Sequence, residues 1–250
     1  MEAIEKKMFK LGEGKWGTSQ QLGTSGEIVE FSIATANFSN SFTQFDLFID
    51  EDPFIEEIIE AFAVWERVAD IRFTQVSDRR DVDIRLGWLE IDGEGGVLGE
   101  TIIPASGPLQ TVTVALDFGE NWFTGGDAPA DQIDFSYVAA HEIGHALGID
   151  HSDEFNALMS PIYSTGITEL QLDDLNAIRA IYGDTNYNKV NINRFFNPEV
   201  GGHLFTADPN EALVLSSSEN FKSEGVGFQA LSKEAEEVAD SLPVYRFFNT

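Results

Sequence analysis

The sequence predicts a mixed α/β (α+β) chain with a small C-terminal accessory module, and three observations point there. Short runs rich in β-branched and aromatic residues, such as EIVEFSIA from Glu27 and TVTVALDF from Thr111, read as strands. Other stretches place apolar residues at helical spacing. After Gly183 the composition turns polar and Asn-rich in DTNYNKVNIN, which marks a linker.

Residues 1–27 are rich in Gly, Ser and Gln and read as a polar leader. EIVEFSIA is then the first sheet strand. In DPFIEEIIEAFAVWERVA, Ile55, Ile58, Phe62, Trp65 and Ala69 form one apolar stripe, so this segment is the clearest helix. Asp52 suits its N-cap and Pro53 its first turn. IRFTQV, DVDIRLGWL and TVTVALDF follow as strands, and the second half of IDGEGGVLGETIIPA reads as a short edge strand. A second helix is expected from Asp134 to Leu147. A third is expected in LQLDDLNAIRAIYG, with Asp173 and Asp174 near the positive end of its dipole. The four residues RFFN occur at 194–197 and again at 246–249, which suggests a repeat module over 186–250.

Fifteen Lys and Arg face 43 Asp and Glu, a formal charge of −28. Nucleic acid is therefore excluded as a partner, because binding it relies on basic residues neutralising phosphates. So much acidity fits either a solvated surface or calcium-rich surroundings. With no cysteine, disulfides and thiolate metal sites are ruled out. No apolar run reaches the length of a membrane span. The charged start lacks the apolar core of a signal peptide.

Three of the four histidines crowd into HEIGHALGIDH, at 141, 145 and 151. Residues four apart in a helix sit on nearly the same face, so His141 and His145 can approach one ion together. Glu142 is rotated away from both and flanks the ion without ligating it. Gly148 permits a left-handed residue that ends the helix and returns His151 to the site. Three neutral imidazoles leave the fourth position of a zinc ion open for water, as in a catalytic site.

HEIGHALGIDHS followed by ALMSPIY resembles the metzincin zinc peptidases, and most closely the matrixins. The likeness extends from about Ile28 to Gly183, and the stretch KWGTSQQLGTSGEIVEFSIA is similar to the start of serralysin-type proteases. It implies a catalytic domain over 28–185, built on a twisted, mostly parallel sheet with an antiparallel edge strand and three main helices. Met159 stands where the family's Met-turn packs an apolar floor beneath the histidines. Pro161 and Tyr163 are expected to wall the pocket for the residue after the cut. Pro161 stands where some branches carry a tyrosine ligand, so no such ligand is assigned. The implied reaction is hydrolysis of internal peptide bonds, with Glu142 as general base. The substrate is a protein or peptide, extended along the edge strand.

The resemblance has gaps. Matrixins carry a second, structural zinc, and the matching positions here hold Arg85, Gly87, Glu100 and Ala115, so that zinc is expected to be absent. The family's calcium pattern is better kept, by Asp92, Asp117 and Glu120. His203 is expected to be structural, in a C-terminal module that resembles a bacterial extracellular repeat. The expectation is thus a secreted, monomeric zinc endopeptidase. The rivals are a non-catalytic binding protein on the same fold and a narrow-specificity processing protease or toxin.

Overall fold

The computed structural model describes residues 9–231, apart from 13, 40, 42, 104–108, 127, 168 and 186–188. The chain divides into two compact units, Met1–Thr185 and Asn186–Thr250.

The first unit opens with a short strand, β1 (Lys10–Leu11), and then β2 (Glu27–Ile33). Helix α1 (Asp52–Glu66) crosses over to β3 (Ile71–Gln75), and β4 (Ile84–Leu89), β5 (Gly99–Ile102) and β6 (Val112–Asp117) follow. Five of these strands form one sheet in the order β3-β2-β4-β6-β5. β2–β3, β2–β4 and β4–β6 pair in parallel, and β5 lies antiparallel along β6 at the edge. β6 is buried along its whole length and β4 along nearly all of it, as parallel strands covered on both faces must be. That explains their near-continuous apolar sequence.

The α1 stripe buries Ile58, Phe62 and Trp65, and Phe62 stacks on Phe31 of β2 with ring centroids 4.0 Å apart. The N-cap is Glu51 and not Asp52, and no side chain caps the helix. Asp52 instead sits inside the first turn, where its charge still favours the helix dipole. Two short strands, β7 (Trp122–Phe123) and β8 (Ile133–Asp134), pair in parallel and lead into α2 (Phe135–Ala146). Asp134 caps α2 by accepting the Tyr137 N–H. Ten of the twelve residues of α2 are buried, so it lacks a solvent face. β9 (Ile149–Asp150) and α3 (Leu172–Tyr182) complete the unit.

Residues 9–26, expected as a leader, are built into this unit. β1 pairs antiparallel with β9, and Lys15 and Trp16 are buried. Tryptophan and the lysine stem supply apolar surface that composition alone hides beneath the surrounding Gly and Ser.

In the second unit, β10 (Lys189–Asn197), β11 (Gly202–Thr206), α4 (Pro209–Ser216) and β12 (Lys222–Leu231) form an antiparallel sheet of order β11-β10-β12 with one helix. The first RFFN ends β10 and GHLFT is β11; the second RFFN lies outside the described residues. His203 bonds within this sheet, receiving an Arg194 N–H at 2.8 Å.

Candidate active site

α2 carries His141, Glu142 and His145, and the turn after it carries His151. The helix stops because Gly148 adopts a φ of +90°, and the carbonyl oxygen of Gly14 lies 2.5 Å from where a Cβ would stand there. Any side chain would be doubly excluded. β9 then brings His151 back, and the three imidazoles present ring nitrogens that all lie within 4.8 Å of one another. Among the described residues this is the one group of three or more potential side-chain ligands.

Hydrogen bonds fix the tautomers. His141 Nδ1 donates to the Leu158 carbonyl at 2.7 Å, and His145 Nδ1 donates to the Ile149 carbonyl at 2.8 Å. A carbonyl can only accept, so both Nε2 atoms are left as acceptors. They face each other at 3.1 Å. Two lone pairs so placed repel unless a cation lies between them, and nitrogens on a tetrahedral zinc stand about 3.4 Å apart. The donor set fits zinc. Burial, with the charge of His145, presses His141 down to about 3, so this ring stays neutral and able to ligate. Burial also lowers His145, against the opposing bond to Ile149.

The Glu142 carboxyl is buried beside them. Thr101 of the edge strand β5 donates its hydroxyl to Glu142 Oε2 at 2.7 Å, and the same hydroxyl lies 2.8 Å from the Glu142 carbonyl. Burial pushes Glu142 up to about 7; the Thr101 bond opposes this and the Glu100 charge adds to it. Gly99, two residues before Thr101 on the same face of β5, lets the strand approach. A Cβ there would stand 2.9 Å from Glu142 Cγ.

Beneath the histidines, Met159 is buried and packs on Gly144, where a Cβ would stand 2.3 Å from the methionine sulfur. This Met-turn is pinned by Asp174 of α3. Its carboxylate accepts the N–H groups of Leu158, Met159 and Gln171 at 2.8, 3.0 and 2.8 Å. Asp174 therefore does more than face the helix dipole. The turn also returns to the third histidine, because Ser152 N–H donates to the Met159 carbonyl at 2.8 Å.

The end of α2 is held from the other side by residues 10–16. Trp16 Nε1 donates to the Ala146 carbonyl and Gly12 N–H to the Gly148 carbonyl, both at 2.8 Å. Tyr182 donates its hydroxyl to the Leu147 carbonyl at 2.8 Å, and Lys10 meets Asp153 at 2.6 Å. Carbonyls left orphaned at a helix end are thereby satisfied.

A cavity of about 200 Å³ is lined by Asp134, Tyr137, Tyr163 and Ile167, among others. Tyr137 and Tyr163 meet edge to face at 5.0 Å, and the Tyr163 oxygen receives the Asp134 N–H at 3.0 Å. Pro161 is exposed and is not among the lining residues, so of the two expected wall residues the structure places only Tyr163 at this cavity.

The acidic loop is used differently from the histidine site. Asp92, Asp117 and Glu120 do not gather into one three-carboxylate ligand set among the described residues. Asp117 accepts the N–H groups of Asp92, Gly93 and Gly119; Glu120 accepts that of Gly95, and Asp92 that of Val97. Burial alone would raise the Asp117 carboxyl, but these amides outweigh it and hold it below its usual range. A calcium here would need backbone carbonyls as well.

At the positions matching the second zinc, Arg85 forms a buried ion pair with Asp78 at 2.8 Å, and its guanidinium lies 4.9 Å from the Phe38 ring centroid. The Phe45 ring fills the place of a Gly87 side chain, 2.5 Å from the Cβ position, and packs on Ala115. Arg85, Gly87 and Ala115 offer no ligand and Glu100 cannot hold a tetrahedral ion alone, so these residues do not fit a structural zinc.

The matrixin family profile matches residues 34–183, more than half of the chain. A domain of unknown function (DUF5648) matches residues 173–250. Matrix metalloproteinase-C of Caenorhabditis elegans is 34% identical over 181 residues, covering 64% of this chain and 30% of its own. The hatching enzyme of Paracentrotus lividus is 36% identical over 138 residues (51% and 22%), and karilysin of Tannerella forsythia 36% over 135 (50% and 28%). The chain thus spans under a third of the length of these curated relatives. Its family is nonetheless plain from a match that takes in β3 to β6, α2 and the Met-turn: the chain belongs to the matrixins, a family of zinc metalloendopeptidases.

Proposed function

We propose that this protein acts outside the cell as a zinc-dependent endopeptidase, cutting internal bonds of extended protein segments. The observation that carries the reading is the pair of Nε2 acceptors facing at 3.1 Å with the Glu142 carboxyl beside them. His141, His145 and His151 would hold the zinc. Bound there, zinc supplies Lewis-acid stabilisation of the negative charge that develops on the scissile carbonyl oxygen.

The rest falls to the chain. Glu142 takes a proton from the attacking water and delivers it to the leaving amine nitrogen. Burial raises its proton affinity, and a zinc ion beside it would draw that back toward the carboxylate that accepts the proton. β5, at the sheet edge, offers main-chain groups to an extended substrate, which would add as a further strand. The cavity at Tyr137 and Tyr163 would take the side chain that follows the cut. The acidity of Asp92, Asp117 and Glu120 supports a calcium proposal, and the high negative charge suits an exported protein in calcium-rich surroundings. No helix among the described residues is long and apolar enough to cross a membrane. A monomer needs no partner to complete this site, since its three histidines and its glutamate come from one chain.

The decisive experiment is incubation with a mixed peptide library, with and without a zinc chelator, read by mass spectrometry. Chelator-sensitive internal cleavage is the expected result. Intact peptides in the presence of bound zinc would overturn the reading.

A further inference from the structure

The edge strand does more than offer main-chain groups. Gly99 and Thr101 share the face of β5 that meets α2, and together they grip Glu142. Gly99 brings the backbone against the Glu142 stem, and Thr101 bonds Oε2 at 2.7 Å. Of the two carboxylate oxygens, the Thr101 hydroxyl holds Oε2 and not Oε1. A carboxylate anchored through one oxygen keeps the other for the reacting water.

We propose that Thr101 is a positioning residue, whose hydroxyl aims the Glu142 carboxylate and couples it to the strand on which substrate lies. The inference rests on the peptidase reading above. Thr101 sits in register with Val114 of β6, so its backbone is fixed on one side by the sheet. A substrate strand on the open side would fix it on the other. Occupancy of the edge and orientation of the base are then one event. A valine at this place keeps the branched shape but loses the hydroxyl, whereas a serine keeps the hydroxyl.

The test compares wild type, Thr101→Val and Thr101→Ser, using a peptide that the wild type cleaves. Zinc retention is measured separately by competition with a chelator. Loss of a hydrogen bond to a charged group predicts a kcat lower by roughly tenfold to a hundredfold in the valine variant. Its KM and zinc retention should be near wild type, and serine should restore most of the rate. A valine variant with wild-type kcat overturns the inference and leaves the peptidase reading standing. So does a valine variant that releases zinc, or a serine variant as slow as valine, because either makes Thr101 a packing residue. A wild type that binds zinc and cleaves nothing overturns both.

Discussion

Trp16 donates its indole N–H to the carbonyl of Ala146, 130 residues later, at 2.8 Å. The contact joins the start of the described chain to the last turn of the helix that bears His141 and His145. Trp16→Phe would keep most of the ring packing and leave that carbonyl unpaired in a buried place. A loss of about 1–3 kcal/mol is expected, the cost of an unsatisfied buried acceptor. Urea melts of the zinc-free protein measure it. Zinc should also dissociate faster from the variant, and a wild-type off-rate would show that the contact stabilises the fold without shaping the site.

Glu142→Gln should keep zinc and lose at least ~10²-fold in activity, the usual scale for a general base. Its effect on stability has a definite sign. The folded carboxyl is raised from 4.5 to about 7, so its contribution is present below pH 4.5 and lost as pH rises through 7. Above pH 7 the zinc-free wild type carries a cost of up to about 3 kcal/mol that the glutamine does not. The variant should therefore melt higher than wild type at pH 8 and show little difference at pH 4. The reverse order would refute the buried-charge account.

Acid should remove zinc late. Burial holds His141 at about 3 and lowers His145, so the folded protein resists protons that the unfolded chain accepts below 6.5. Stability contributed by these rings is whole above 6.5 and falls as pH drops toward about 3. Metal release should then track unfolding, well below the ordinary histidine range. Elemental analysis after desalting at stepped pH, paired with circular dichroism, tests this. Half-loss of zinc near pH 6.5 from a native fold would contradict it.

One zinc per chain is expected after loading with excess metal and desalting, and His145→Ala should hold none. Arg85→Met should destabilise the fold by about 3 kcal/mol or more, because it leaves the Asp78 charge buried and unpaired. Two tightly held zincs per chain would disprove the assignment of Arg85 and Phe45 to the second position.

Calcium should raise the melting temperature at constant zinc, since Asp92, Asp117 and Glu120 concentrate negative charge where the loop before β5 meets the end of β6. Melts that coincide across millimolar calcium would rule out a calcium site there.

What could be read in advance was local. The spacing of His141, His145, Gly148 and His151 encodes a helix, a left-handed stop and a return, all within one short stretch. β4 and β6 declared themselves because parallel strands covered on both faces are near-continuously apolar, and β2 and β3 through their β-branched and aromatic residues. The supports of the site came from far away in sequence and left no local trace. Thr101 is an ordinary strand residue until β5 meets α2. Asp174 looks like a helix-dipole acid until the Met-turn folds onto α3. Trp16 sits among glycines and serines that suggest a polar leader. Pro161 and Tyr163 were both expected to wall the pocket; Tyr163 lines the cavity beside Tyr137, and Pro161 is exposed.

The pairing of Lys10 with Asp150 and Leu11 with Ile149 also sets an order of events. Contacts so distant along the chain cannot form until the intervening residues have been made, and they close slowly because of the entropy of joining remote segments. On the ribosome, the N-terminal residues must wait for α2 and its turn to emerge, and Trp16 must wait longer for Tyr182, 166 residues away. The turn that carries the third histidine is thus among the last parts to be fastened. The histidine turn is braced from both sides only once the chain through Tyr182 has been made.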